Sequence, residues 1–290
     1  MGRTLSSRHN CAVVIGRFAP SPTGDLHLGN LRTALAAWVS VRGRGGRFLV
    51  RFEDLDRVTS SRDWAAAQVR ELAAVGIDWD EDPVFQSDRF ALYDEAIARL
   101  EVAGVVYECF CSRREIREAA VAPHGAHTVY PGTCRDLSNA EREARKAQRP
   151  GALRLDVRAA GFGPALGFVD RLAGPQEHLL DDVVLRRNDG VPSYNVAVVV
   201  DDAAQGVTEV VRGEDLLGIT PTQIVLQRLL GYATPEYVHV PLMLGPDGER
   251  LAKRHGAVTL ADLAANGVGP TEIRDRLMAE VRAWGLDGKS

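Results

Sequence analysis

Hydrophobic positions along the chain fall into short β-branched runs and longer stretches of helical period. "CAVVIGRF" (residues 11–18) is apolar, β-branched and closed by turn residues, the pattern of a buried strand. "APSPTGD" ends it with two prolines and a glycine. In "LHLGNLRTALAAWVSVRG" the apolar residues recur at helical spacing, so a helix is expected from near His27 to Gly43. "RFLVRFED" predicts a second strand. "SSRDWAAAQVRELAAVG" predicts a second helix, with Ser60 or Ser61 as N-cap and Gly76 as C-cap. This alternation predicts an α/β fold with a parallel sheet.

Residues 107–150 break the rhythm with a cysteine cluster and a charged helical stretch, "SNAEREARKAQR". Beyond them "GALRLDV", "DDVVLRR" and "SYNVAVVVDD" read as strands, "TPTQIVLQRLLG" as a helix and "YVHVPLML" as a strand before the loop "GPDGERLAKRHGA". Two short helical patterns close the chain. The expected layout is one catalytic-type domain in two halves, residues 10–106 and 151–257, interrupted by an insertion at 107–150. A short helical segment, 258–290, follows.

Composition narrows the class. The chain has 290 residues, 45% hydrophobic and 26% charged, as in ordinary globular proteins. No apolar run approaches the roughly 18 residues of a membrane span; residues 196–200 stop at Asp201 and Asp202. The N-terminus lacks the apolar segment of a secretory signal. Gly2 and Ser6 match a myristoylation pattern that is short and frequent by chance. A cytoplasmic setting is expected, and there disulfides are rare. A net charge of −4 argues against a broadly basic nucleic-acid binder. RNA contact would need a local patch, for which Arg113, Arg114, Arg117, Arg142, Arg145 and Lys146 are candidates, although a solvated helix face is the commoner reading.

Three stretches carry candidate chemistry. "PSPTGDLHLGN" places a turn and a helix start after a strand, where free N–H groups and the helix dipole suit phosphate. His27, Gly29 and Asn30 sit at that start. "ERLAKRHGA" sets Lys253 in a polar loop as a point charge for polyphosphate, in a chain whose other lysines are Lys146 and Lys289. "RFEDLD" places Glu53, Asp54 and Asp56 at the carboxyl end of a strand, where α/β sheets put ligands. Each alone has a bland alternative: a plain crossover, a surface lysine, an exposed acidic turn.

Together they resemble class I aminoacyl-tRNA synthetases. "PSPTGDLHLGN" is similar to the HIGH motif and "RLAKR" to the KMSKS motif. "GRFAPSPTGDLHLGN", "RFEDLDR", "DWDEDPVFQSDR" and "VVRGEDLL" look like the glutamyl subgroup. "VVVDDAAQGVTEVVRGEDLLGITPTQIVLQRLLG" resembles a truncated branch of it that modifies tRNA(Asp). The resemblance runs from Val13 to Ala257. It implies a Rossmann-like class I catalytic domain with a zinc-containing insertion. It implies ligase activity: activation of L-glutamate by ATP with Mg²⁺, then transfer of glutamate to queuosine at the wobble position of tRNA(Asp). It implies a monomer, with no membrane partner.

By the same resemblance, Arg17, Phe18, Ala19, Pro20, Ser21, Glu53, Tyr194 and Arg212 form the glutamate pocket. His27, Gly29, Asn30 and Lys253 meet ATP, with His27 and Lys253 as the catalytic pair. The KMSKS-like loop departs from the family pattern at Arg250 and Ala252; Ala252 lacks a hydroxyl donor. The 33 residues after Ala257 are too few for the helical domain with which related synthetases grip the anticodon. Two alternatives stand beside this expectation: a minimal synthetase charging a tRNA 3′ end, and a non-catalytic nucleotide- or tRNA-binding paralogue.

Cys109, Cys111 and Cys134 are three of four cysteines; Cys11 is remote in sequence. Residues two apart on a strand share a face, so two thiols can reach one ion, and the turn at Pro131-Gly132 can return Cys134. Three thiolates suit tetrahedral zinc with a fourth ligand. His124, His127 and Tyr130 are candidates. Ligand chemistry alone favours His127, whereas the resemblance of "CFC…YPGTC" to the family's zinc site implies Tyr130.

Overall fold

The first β-branched run forms β1 (Ile15–Phe18), and His27 caps the helix that follows. The computed structural model describes residues 13–112, 114–116, 129–244 and 258–287. In chain order they form β1, α1 (Leu28–Arg42), β2 (Arg47–Phe52), α2 (Arg62–Ala74), β3 (Val84–Phe85), α3 (Phe90–Val102) and β4 (Val106–Cys109). Then come α4 (Asn139–Lys146), β5 (Ala152–Leu155), β6 (Ala165–Asp170), β7 (Gly174–Leu179), β8 (Val184–Arg186) and α5 (Tyr194–Ala204). Last are β9 (Glu209–Gly213), α6 (Thr220–Leu230), β10 (Glu236–Val240), α7 (Leu260–Ala265) and α8 (Pro270–Ala283).

A seven-stranded sheet runs β3-β2-β1-β9-β10-β6-β7. Its neighbours pair in parallel, as expected, except for the β6–β7 hairpin. Strand β4 pairs instead with β5, and β5 with β8, in a separate antiparallel sheet. That second sheet therefore joins a strand at the start of residues 107–150 to two strands that follow them.

Strand periodicity sorts side chains to two faces. Phe48, Val50 and Phe52, with Val211, Val238 and Val240, enter one apolar core with α1 and the tail helix α8. Their alternates, Arg51, Arg212 and His239, point to the other face, and Arg17 joins them. On that side lie α5 and α6. The helix ends are conventional: Ser61, not Ser60, caps α2. Val75 is its C-cap, and Gly76 follows with φ +74°, a left-handed conformation that costs glycine little.

"SYNVAVVVDD" corrects the sequence reading, because it is helix α5 and not a strand. Val196 to Val200 are buried without exception, packed with α3, α6 and β8. A helix buried all round shows no polar stripe, so its apolar run looks like that of a buried strand. The sequence reading also passed over β3, α3 and the β6–β7 hairpin.

Candidate active site

A cavity of about 420 Å³ opens at the carboxyl ends of β1, β2, β9 and β10. Its lining includes Arg17 to Ser21, His27, Gly29, Asn30, Glu53, Tyr194 and Arg212. Two segments distant in sequence and a helix start thus meet where parallel strands end, the expected ligand position of an open α/β sheet. Lys253, Arg250 and Ala252 lie outside the described residues. The chain on both sides of their loop is at the cavity: Leu242 and Met243 line it, and Thr259 bridges to His27 while the Leu28 amide donates to Val258 O at 3.1 Å.

His27 fixes the start of α1. Its Nδ1 accepts the Asn30 N–H at 3.2 Å, and the Asn30 side chain returns a contact to the His27 amide at 3.4 Å. An accepting Nδ1 leaves the ring proton on Nε2, so the neutral imidazole keeps a donor there. A Cβ at Gly29 would stand 3.1 Å from the imidazole ring, and glycine therefore keeps the ring uncrowded.

The floor is a buried charge network. Arg17 Nε donates to Asp202 Oδ1 at 3.0 Å, and Arg51 Nη2 meets the same oxygen at 2.8 Å. Asp201 accepts from Arg89 Nε at 2.6 Å, Tyr93 Oη at 2.8 Å and Gln86 Nε2 at 3.0 Å. Burial alone would raise the Asp202 carboxyl; Arg17 and Arg51 outweigh it and hold the group below the ordinary carboxylate range. Half-buried Glu53 behaves oppositely. Loss of solvent pushes it up to about 7, against the pull of Arg51 and Arg17.

Arg212 is held by neutral partners, which orient a guanidinium without cancelling its charge. Nε donates to His239 Nε2 at 3.1 Å, Nη1 to Gln223 Oε1 at 2.8 Å and Nη2 to Thr220 Oγ1 at 2.7 Å. Tyr194 Oη lies 3.5 Å from Nη1, and burial keeps its phenol above the ordinary value and neutral. Sequence reasoning missed Arg51, Asp201, Asp202 and His239. Their signal is a charged or polar residue inside an otherwise apolar strand or helix.

A second cavity, about 830 Å³, shares Ser21, Glu53 and Tyr194 with the first. Its far wall contains Cys109, Cys111, Arg149 and Arg187. Strand β4 stops at Cys109, so Cys111 reaches the cluster from beyond the strand and not by sharing its face. The three thiols nonetheless converge: their sulfurs lie within 4.8 Å of one another, and Cys111 and Cys134 Sγ are 3.5 Å apart. Tyr130 Oη stands 3.3 Å from Cys109 Sγ and 3.4 Å from Cys111 Sγ. Zinc–sulfur bonds of about 2.3 Å in a tetrahedron give S···S edges of about 3.8 Å, so the donor set fits zinc with little movement. His124 and His127 lie outside the described residues. Of the candidate RNA patch, Arg113 and Arg117 also lie outside. Arg142 and Arg145 are turned inward to Leu137 O and Cys134 Sγ, and Lys146 pairs with Glu108.

The model of the catalytic domain of class I tRNA synthetases (E and Q) matches residues 13–284. The chain belongs to this family. The family is one of ligases, and the chain is an enzyme of that type. A glutamyl-Q tRNA(Asp) synthetase from Nocardia farcinica is 58% identical over 259 residues, covering 89% of this chain and 81% of the relative. One from Symbiobacterium thermophilum is 48% identical over 275 residues, covering 90% and 84%. The crystal structure of a glutamate-tRNA synthetase from Elizabethkingia anophelis superposes with a TM-score of 0.71 at 29% identity. The match covers 84% of this chain but 53% of that one, so the chain spans about half of the larger synthetase. Among the described residues no helix is long and apolar enough to cross a membrane.

Proposed function

We propose that the protein activates L-glutamate with ATP and transfers the glutamyl group to queuosine in the anticodon of tRNA(Asp). The joined cavities carry this reading. One is walled by paired guanidinium groups and a carboxyl, matching an amino acid with two carboxylates and one ammonium. The other gives an acceptor direct access to the same point through Ser21, Glu53 and Tyr194. Arg17 and Arg212 bind the substrate carboxylates, Arg being suited to bidentate pairing. Glu53, once ionised, accepts the α-ammonium.

A glutamate carboxylate oxygen attacks the α-phosphorus of ATP, and the bond to pyrophosphate breaks. The His27 Nε2–H donates a hydrogen bond and Lys253 supplies positive charge to the phosphates; catalysis is positioning plus electrostatics, with no protein nucleophile. Mg²⁺ bound with ATP neutralises phosphate charge. An acceptor hydroxyl then attacks the acyl carbon, AMP leaves, and the hydroxyl proton is lost. Cys109, Cys111, Tyr130 and Cys134 would hold zinc as a structural staple beside the acceptor cavity. The reading places the protein in the cytoplasm, where charged and uncharged tRNA meet ATP.

Nuclease mapping of labelled glutamate tests the proposal. Label is expected on the anticodon fragment, and tRNA made without queuosine is expected to take none. Label at the 3′ end would support the minimal glutamyl synthetase instead. Lys253→Ala is expected to abolish ATP–pyrophosphate exchange, and near-normal exchange would remove its catalytic role.

A further inference from the structure

Behind Arg212 lies a buried chain of groups that the functional reading does not use. Parallel pairing of β9 with β10 sets His239 beside Arg212 on one face of the sheet, and β10 with β6 brings Asp170 to the other side of the imidazole. Arg212 Nε–H has one direction in which to donate, and it meets His239 Nε2 at 3.1 Å. A guanidinium N–H always donates, so Nε2 must present its lone pair. The ring proton is then on Nδ1, and Nδ1 faces Asp170 Oδ2 at 2.6 Å. Asp170 is fixed in turn. Oδ1 accepts the Leu172 and Ala173 amides at 3.0 and 2.8 Å, and Oδ2 the His239 amide at 3.0 Å. Both side chains are fully shielded from solvent.

We propose that His239, held in a single tautomer by Asp170, is a positioning residue that aims Arg212 at a substrate carboxylate. The aim of Arg212 at glutamate rests on the functional reading above; the tautomer and the Arg212 contact do not. Protonating Nε2 would set two N–H groups against each other, release the Arg212 Nε–H and swing the guanidinium. The groups facing His239 are Asp170 from β6, Arg212 from β9, Asp215 from the turn after β9, and Tyr237, whose ring stacks at 6.0 Å. Asp170 and Asp215 favour the imidazolium, while burial first and Arg212 second disfavour it. The outcome is a histidine held below its ordinary value. It is therefore neutral above about pH 6.5, the ordinary histidine value. The aim of Arg212 is intact there and is lost only as the pH falls further.

Two substitutions divide the ring's roles. His239→Gln keeps an oxygen where Nε2 stood and cannot titrate. His239→Asn keeps a donor toward Asp170 and removes the acceptor for Arg212. With glutamate-dependent ATP–pyrophosphate exchange at saturating ATP, the Asn variant is expected to raise the glutamate KM at least tenfold with kcat within threefold. The Gln variant is expected to stay within threefold of wild type in KM. As the pH falls below 6.5 the wild-type KM should climb more steeply than that of the Gln variant, because protonation of Glu53 raises both alike and only the wild type also protonates His239. A general packing role would lower kcat and thermal stability in both variants alike, and that result overturns the proposal, as does an unchanged KM in the Asn variant. The tautomer is read separately from activity by ¹⁵N NMR of the folded wild-type protein. A protonated Nε2 at pH 7.5 overturns the relay whatever the enzyme does, whereas a protonated Nδ1 with no glutamate-dependent exchange would fault the functional reading alone.

Discussion

The chain contains two aspartate pairs, Asp181-Asp182 and Asp201-Asp202, all four residues buried, and their partners differ in kind. Asp201 and Asp202 sit near the C-terminal end of α5, where the helix dipole disfavours negative charge. Their partners are Arg17, Arg51 and Arg89, so the pair neutralises a cluster of guanidinium groups gathered under the first cavity. Asp181 and Asp182 instead tie backbone and side chains of the cysteine region to the core. Asp181 Oδ1 accepts the Tyr130 amide at 2.8 Å, and the Asp181 amide donates to Thr222 Oγ1 at 3.1 Å. Asp182 accepts from Tyr107 Oη at 2.6 Å, Arg135 Nε at 2.8 Å and the Val157 amide at 3.1 Å. One dipeptide type thus serves in one place as a counter-charge and in another as a staple, because what surrounds it decides its work.

The largest effect is expected on the counter-charge side. Asp202→Ala leaves Arg17 and Arg51 buried without their shared partner. Breaking a buried pair in this way costs about 3–5 kcal/mol. Urea unfolding should show that loss, and glutamate-dependent exchange should fall by about two orders of magnitude as Arg17 loses its aim. Asp202 is held below the ordinary carboxylate range, so its stabilising contribution is present above about pH 4 and is lost as acid protonates it. The variant should therefore lack part of the wild-type stability loss on acidification. Wild-type exchange in the variant would dissolve the contrast between the pairs.

Asp182→Ala should produce a smaller effect on glutamate-dependent exchange, and a differently placed one. The hydrogen bonds to one buried carboxylate go, with its ion pair to Arg135, at about 1–3 kcal/mol for each buried donor left unpaired. Activation of glutamate is expected to stay within threefold, while transfer to tRNA falls about tenfold as the wall of the second cavity, proposed for the acceptor, loosens. Equal losses in both steps would show that the two pairs act as one network.

How far the sequence revealed this contrast depends on where each signal sits. Arg17, Glu53 and Tyr194 lie in contiguous motifs, and the fold brings them to one cavity with His27 and Arg212. The parallel sheet was legible because β1, β2 and β10 are short apolar runs between turn residues. Helix α5 was not, since a helix buried on every side erases the polar stripe that marks helical period. Arg51, Asp170 and His239 were equally hidden: one buried polar residue in a strand announces no partner, and their partners are set by strand register, which a single sequence does not display. The pairing of β4 with β5, and of β5 with β8, joins strands distant in sequence and is likewise a tertiary fact.

Proton release separates the pocket from the staple more gently. Burial pushes Glu53 up to about 7, while in the unfolded chain it titrates near 4.5. Between those values the folded protein holds a proton that the unfolded chain has lost. Stability from this group is therefore greatest below pH 4.5 and is lost as pH rises through 7. An ammonium-accepting Glu53 must be ionised, so the glutamate KM should rise severalfold as pH falls from 8 to 6. Glu53→Gln should bind glutamate poorly yet melt slightly higher than wild type at pH 8. A KM independent of pH across that window would detach Glu53 from the ammonium.

The smallest effect is expected at the cysteine cluster itself. Tyr130 Oη accepts the Cys134 amide at 3.0 Å and touches two further sulfurs, so Tyr130→Phe removes one polar atom and keeps the ring under Arg154. Loss of one such contact costs about 1 kcal/mol. Glutamate activation should be unchanged within twofold, because the cavity proposed for glutamate is lined by none of the cysteines. Zinc retained through a chelator challenge should fall about tenfold in Tyr130→Phe and remain at the wild-type level in His127→Ala. The reverse order would make histidine the fourth ligand, as ligand chemistry alone first suggests, and would leave Tyr130 a hydrogen-bonding partner of Cys134. In either case Asp181, which fixes the Tyr130 backbone, stays on the staple side of the comparison. Its own amide contact with α6 connects the cluster to the helix that also supports Arg212 through Thr220 and Gln223.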